Sequence, residues 1–315
     1  MITFGQAARD YYNAHVRAWD DKHAAQWRQS VLGETPSGRP VKRDPCKAIR
    51  NLPVAVINKQ SVKDVLVPIW LTHHESASRL RNRIENILDM AKAHDYRTGD
   101  NPAVLSVISE LLPKLEKCER KHLAAVPYKE MGAFVAALRE REGSAERALE
   151  FLIYTLGRTG EILGARSPEI DMDKREWTVP ASRMKARVEH KVPLLQPSLD
   201  LLRDLPRDNH DFVFLSSRPG KPLSQESMLR VMRRMRRKEA VHGFRAAFST
   251  WANETKGVDI APGHVIEMSL AHKVGTEITE AYRHTDLLDK RRVLLDAWCR
   301  HCTETSEVVQ LRAAR

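Results

Sequence analysis

Tyr282 closes the run Ala271-His-Lys-Val-Gly-Thr-Glu-Ile-Thr-Glu-Ala-Tyr282 near the end of a 315-residue chain. Alone, a tyrosine beside charged residues reads as a half-buried surface aromatic. Its company changes that reading. His272 lies upstream, His242-Gly-Phe-Arg245 lies further back, and Lys185 and Arg158 lie earlier still. A phenol oxygen, two guanidiniums, an ammonium and two imidazoles are the groups needed to attack a phosphodiester without a metal. Each also has an ordinary structural reading. Arg158 can pair with Glu161 across one helical turn, and Lys185 can sit on a solvated hairpin tip. His242 and Arg245 share a face if a helix starts between them.

The elements that must position these groups follow from the patterning. Thr3 with Gln6 forms a capping box that opens a first helix, and Asp20 or Asp21 can cap a second. The stretch from Gly33 to Ile49 lacks periodicity and reads as a loop, and its cations Arg39, Lys42, Arg43, Lys47 and Arg50 could meet phosphates or equally be solvated. A third helix starts at Ser61. A long fourth runs from Glu75 to His94, with Leu80, Ile84, Ile87, Leu88 and Ala91 as its apolar stripe and Arg79, Arg81 and Arg83 off that stripe. Gly99 and Pro102 end it. The expected division is a helical domain with a basic side over residues 1–114, a linker over 115–126 and a second domain over 127–315.

In the second domain, Met131, Phe134, Val135 and Leu138 recur at helical spacing. The next helix runs through Leu149, Leu152, Ile153 and Leu156 into Gly157-Arg158-Thr-Gly-Glu161, and it is apolar over much of its surface. Trp177-Thr-Val and Val188-Glu-His-Lys-Val192 read as antiparallel strands around a basic turn. Asp211 to Leu215 is another short apolar run. Ser224 can cap a helix whose Met228, Met232 and Met235 face the core, with a dense basic run from Arg230 to Lys238. Phe244, Phe248 and Trp251 pack inward, and Leu287 to Cys302 forms a last amphipathic helix.

Bulk composition narrows the function classes. Hydrophobic residues make up 42% and charged residues 30%, enough for a core beneath a charged surface, and the formal net charge is +11. That balance points to a polyanion partner, with nucleic acid as the first choice. The opening residues lack the pattern of a signal peptide, and no window has the roughly 18 apolar residues of a membrane span. The expected location is the cytoplasm, with no membrane partner. Cysteines 46, 118, 299 and 302 are too scattered for a disulfide framework. Cys299-Arg-His-Cys302 has no second pair to complete a zinc site, so it reads as reduced thiols on a helix.

Taken together, the chain resembles the tyrosine recombinases, the phage integrases, and among them those of prophages and genomic islands. The resemblance is carried by Gly157-Arg-Thr-Gly-Glu-Ile-Leu-Gly-Ala-Arg166 with Glu169-Ile-Asp171, by Arg183-Met-Lys185 with Glu189-His-Lys-Val-Pro-Leu194, by His242-Gly-Phe-Arg245, and by Leu270-Ala-His-Lys273 with Ala281-Tyr-Arg283. The helices from Thr3 to Pro102 also resemble the family's core-binding domain.

The resemblance implies a mainly α fold with a small antiparallel sheet: a helical core-binding domain followed by a tyrosine recombinase catalytic domain. It implies that Tyr282 attacks the scissile phosphate, that Arg158 and Arg245 grip its non-bridging oxygens, and that Lys185 protonates the 5′-oxygen. His242 and His272 would assist proton movement, and Glu161 would orient Arg158. No cofactor is implied. The implied partners are double-stranded DNA at core attachment sites, three further protomers in a tetramer on that DNA, and host DNA-bending and excision proteins; the location becomes the bacterial nucleoid. The last helix becomes a candidate for docking on a neighbouring protomer. Such integrases carry a further N-terminal domain that grips arm sites, and this chain begins where the core-binding domain would. The competing readings are a non-enzymatic or truncated DNA-binding relative and a topoisomerase of related chemistry.

Overall fold

The computed structural model describes residues 1–114, 125–206, 211–216, 218, 220–255, 260–272 and 285–304. Contacts divide the chain into two compact units, Met1–Glu119 and Arg120–Arg315. Most of the expected linker, 115–124, lies outside the described residues.

The first unit is helical. Helix α1, Phe4–His15, starts at the Thr3–Gln6 capping box. Helix α2, Asp21–Trp27, is capped by the Asp20 side chain, which accepts from His23 N at 2.7 Å. A wide turn over Arg28–Leu32 ends at Gly33, whose φ of 66° is left-handed. Helix α3, Lys59–Trp70, begins earlier than the expected Ser61: Asn58 is the cap, and Ser61 closes its capping box from inside. Helix α4, His74–Ala93, buries Leu80, Ile84, Ile87, Leu88 and Ala91 as its pattern requires. Helix α5 is the short turn Leu105–Ile108.

Two arginines of α4 lie off its apolar stripe and are nonetheless enclosed. Arg81 and Arg83 are buried rather than solvated. Arg81 donates to Glu85 and to Ala103 O, while Arg83 donates to Gln26 O and Ser30 Oγ with its guanidinium over the Trp27 ring. Burying such cations is tolerable because distant carbonyls satisfy them. In the loop after Gly33, Arg50 is similarly structural, bonded to Asp44 and Val31 O, whereas Arg39, Lys42, Arg43 and Lys47 are exposed.

The second unit surrounds a core in which helix α7, Ser144–Thr155, is buried along most of its length. Helix α6, Met131–Arg139, precedes it and helix α8, Thr159–Leu163, follows. A three-stranded antiparallel sheet runs in the order β1 (Ile170–Asp171), β2 (Glu176–Val179), β3 (His190–Pro193), with Val179 opposite His190 and Glu176 opposite Pro193. The fold is therefore mainly α with a small sheet, as expected. Asp211 to Leu215 makes only isolated bridges, Phe212 to Arg166 and Leu215 to Pro222, instead of a strand. Helices α9 (Gln196–Asp204), α10 (Ser227–Arg234), α11 (Gly243–Glu254), α12 (Gly263–Ser269) and α13 (Leu288–Thr303) complete the unit. The cap of α10 is Glu226 rather than Ser224, and Met228 and Met232 are buried core residues.

Helix α13 packs its apolar face within its own unit. Leu294, Leu295, Trp298 and Cys299 are buried in the unit's own core, where Trp298 meets Phe248 and Trp251 and donates to Ile153 O at 2.9 Å. Cys299 and Cys302 are buried free thiols, and burial pushes both thiols up in pKa. Among the described residues, no group of His, Cys, Asp or Glu is gathered to hold a metal, and no helix is long and apolar enough to cross a membrane.

Candidate active site

Helix α7 ends in a left-handed residue, Leu156, with φ 58° and ψ 19°. That turn throws the chain back so that Arg158 becomes the cap of α8. Gly157 makes the turn possible by its size: a Cβ there would stand 2.7 Å from Ile162 Cδ1 and 3.2 Å from the Trp177 ring. Glu161, buried to 4% exposure, accepts from Arg158 N at 2.7 Å and from Arg158 Nη1 at 2.8 Å. One carboxylate thus holds both ends of the arginine. The other terminal nitrogen of Arg158, Nη2, donates to Ala271 O at 3.1 Å.

Arg245 reaches the same place from α11. His242 caps that helix and Arg245 lies one turn in, as the three-residue spacing requires. Its guanidinium is 4% exposed and donates to Leu156 O through Nη1 and to Leu270 O through Nη2. The two arginines therefore hold adjacent carbonyls, Leu270 and Ala271, although they are far apart in sequence. Arg245 also holds the carbonyl of the turn that delivers Arg158. Its Nε has no hydrogen-bond partner among the described residues. Burial, and then the charge of Arg158, lower its pKa to about 10, so it stays protonated at neutral pH.

His272 completes the cluster. Helix α12 ends at Ser269, and Ala271, left-handed at φ 48°, turns the chain so that His272 Nε2 lies 3.3 Å from Arg245 Nη2. On the other side, His272 Nδ1 is 2.7 Å from Glu267 Oε2. A guanidinium can only donate, so Nε2 accepts and Nδ1 carries the proton that Glu267 receives. His242 is exposed beside the same cluster. Its imidazole is held below its usual pKa by partial desolvation, and then by Arg245, Arg158, His272 and Lys185.

Lys185 is exposed in the turn between β2 and β3. The base of that turn is tied down by Arg183, which donates to Glu161 O at 2.9 Å and to the Glu169 carboxylate. Tyr282 lies outside the described residues, as do all residues of 273–284.

Three residues join the site that the sequence reading passed over. Glu267 receives His272. His190, on β3, sits within the field of Arg291, Arg158 and Arg245; burial above all, and then these cations, lower its pKa to about 3, leaving a neutral imidazole. Arg291, on α13, is 2% exposed. The signals for His190 were its place in a β-prone run and in the segment Glu189-His-Lys-Val-Pro-Leu194 that carries the resemblance, but a lone histidine in a strand is more often structural, so it was given no role. Chemically, the assembly is a cluster of fixed positive charge, partly offset by Glu161 and Glu267, of the residue types that grip an anion.

The model of the phage integrase central domain matches residues 4–107, and that of the phage integrase family matches residues 126–288, a span that includes Tyr282. The chain belongs to the phage integrase family. It is 31% identical over 298 residues to the prophage integrase IntZ of Escherichia coli K12, covering 93% of this chain and 69% of that protein. It is 31% identical over 232 residues to the integrase of Shigella phage Sf6, covering 71% of this chain but only 58% of that one. The chain thus spans roughly three fifths to two thirds of these relatives. Among solved structures, the Tn1549 transposon integrase with circular intermediate DNA matches with a TM-score of 0.64 at 12% identity, over 93% of this chain and 98% of that one. A lambda integrase tetramer bound to a Holliday junction matches with a TM-score of 0.64 at 16% identity, over 88% of this chain and 79% of that one. At such identities the likeness is one of fold.

Proposed function

We propose that this chain is a site-specific DNA recombinase, an integrase that cuts and rejoins strands through a 3′-phosphotyrosine at Tyr282 and so integrates or excises a mobile element such as a prophage. The observation that carries the reading is that Arg158 and Arg245 donate to the adjacent carbonyls of Ala271 and Leu270, and that Arg245 also meets His272, ten residues before the tyrosine.

In this mechanism the Tyr282 oxygen attacks the scissile phosphorus and loses its proton, with His242 or His272 assisting. The bond from phosphorus to the 5′-oxygen breaks, and the Lys185 ammonium protonates the departing oxygen. Arg158 and Arg245 take the non-bridging oxygens, where negative charge grows in the transition state, and Glu161 keeps Arg158 aimed. Guanidiniums suit this role because they remain charged and donate in a planar fork. A phosphodiester is exchanged for a phosphotyrosine, so the bond energy is kept for rejoining and ATP is not needed. The partner is double-stranded DNA at core sites, with four protomers on two duplexes, by analogy with the lambda integrase tetramer on its junction.

The test is covalent trapping. A pool of nicked duplexes randomised over the core is incubated with the chain, denatured, and the protein-linked DNA is recovered and sequenced. Wild type is expected to enrich a defined core as a covalent adduct, and Tyr282→Phe to bind the same DNA with no adduct. Binding without any wild-type adduct would instead establish a non-enzymatic DNA-binding relative.

A further inference from the structure

Arg291 is among the most deeply buried side chains of the molecule, yet the mechanism above gives it no task. It sits one turn into α13. Its Nε donates to Asp286 O at 2.9 Å, its Nη1 donates to Lys191 O at 2.6 Å, and its Nη2 pairs with the Asp286 carboxylate at 3.4 Å. Between Asp286 and the helix stands Leu287, forced left-handed at φ 52° and ψ 36°. A non-glycine residue in that region costs about 1–2 kcal/mol and persists only where its surroundings over-determine it. Here Arg291 from one side, and the Leu288 N bond to Asp286 Oδ1 at 3.1 Å from the other, fix the turn. The next residue, Arg292, extends the seam to Arg175 O at 3.1 Å, on the loop between β1 and β2.

Asp286 follows Tyr282 by four residues. Four residues of chain span at most about 14 Å, so whatever fixes Asp286 bounds where the phenol can go. Lys191 belongs to β3, the strand that leaves the Lys185 turn and carries His190 toward Arg158 and Arg245.

Resting on the recombinase reading, we infer that Arg291 is a positioning residue for strand cleavage: it fixes the downstream end of the tyrosine segment to β3, so that nucleophile, phosphate grip and proton donor share one frame of reference. An attack geometry displaced by about 1 Å can lose on the order of 10²-fold in rate. The guanidinium suits the task because it is planar and can serve two carbonyls on different segments at once, which an ammonium cannot do in the same geometry.

The test uses the full chain on the core recovered by trapping, as a nicked duplex in two forms: the natural 5′-oxygen at the scissile bond, and sulfur in its place. A thiolate leaves without being protonated, so sulfur restores a defect in the proton donor but not one in nucleophile placement. Under single-turnover conditions with saturating protein, Arg291→Met is expected to form adduct about 10²-fold more slowly on both substrates. Its half-saturating protein concentration should stay within about twofold of wild type, and Lys185→Ala should recover on sulfur alone. Arg291→Lys, which keeps the buried cation, should fall between wild type and Arg291→Met on both substrates, and it decides the matter if Arg291→Met does not unfold cooperatively. Wild-type rates in the deciding variant, a defect cured by sulfur, or a loss confined to DNA affinity would each overturn the inference. Absence of any wild-type adduct removes the recombinase reading itself, and the role of Arg291 with it.

Discussion

On the proposed recombinase reading, Glu161→Gln separates the support of Arg158 from the phosphate grip assigned to it. The wild-type carboxylate receives Arg158 N at 2.7 Å and Arg158 Nη1 at 2.8 Å, both charge-assisted bonds. Glutamine preserves volume and one acceptor oxygen, but its amide nitrogen must face the second donor. One charge-assisted bond is lost, worth about 1.5–3 kcal/mol. The Arg158 side chain is 23% exposed and Glu161 is 5% exposed, so water can compensate the arginine in part but not the amide. The lower half of that range is therefore expected, about 1.5–2 kcal/mol. For a unit of this size each kcal/mol moves the melting temperature by about 2–4 °C, so a drop of roughly 3–8 °C should be seen in a thermal scan. Cleavage should behave differently from binding. Removing a negative charge makes the pocket more positive, so DNA affinity should hold or rise, while the rate of adduct formation falls about tenfold because Arg158 is no longer held at both ends. Unchanged stability together with an unchanged rate would refute the assignment of Glu161 as the residue that aims Arg158.

Other expectations follow from particular contacts. The folded pKa of His190 lies near 3 against an ordinary 6.5, so between these values the unfolded chain binds the proton that the folded chain refuses. Stability should thus fall as pH drops through that window, by about 2 kcal/mol at pH 5, and His190→Gln should flatten the acid side of a denaturant-stability profile. Gly157→Ala would drive its Cβ against Ile162 Cδ1 at 2.7 Å and the Trp177 ring at 3.2 Å, with a cost of about 1–3 kcal/mol measurable by urea unfolding. DNA affinity should fall steeply with salt as phosphate contacts release counterions, and a flat response between 50 and about 200 mM salt would count against the DNA reading.

Much of the scaffold was legible because its causes are local. The Thr3–Gln6 box, the Asp20 cap, the α4 stripe and the antiparallel strands around Lys185 all follow from residues within a turn or a hairpin of one another. The pairing of Arg158 with Glu161 could be read from sequence for the same reason. Where competing local signals were present, the reading slipped by a few residues, as at Asn58 ahead of Ser61 and at Glu226 after Ser224.

The order of motifs along the chain, by itself, determined the family, and it pointed to the class of chemistry and to the residues worth testing. Only the tertiary structure decided which charges are solvated and which are buried. Arg83 finds Gln26 O and Ser30 Oγ, Arg245 finds Leu156 O and Leu270 O, and Arg291 finds Lys191 O. Those acceptors are backbone or hydroxyl oxygens far along the chain, and a backbone carbonyl looks the same at every position of a sequence. A buried cation is tolerated only where such oxygens converge, and that convergence exists only once the chain has folded.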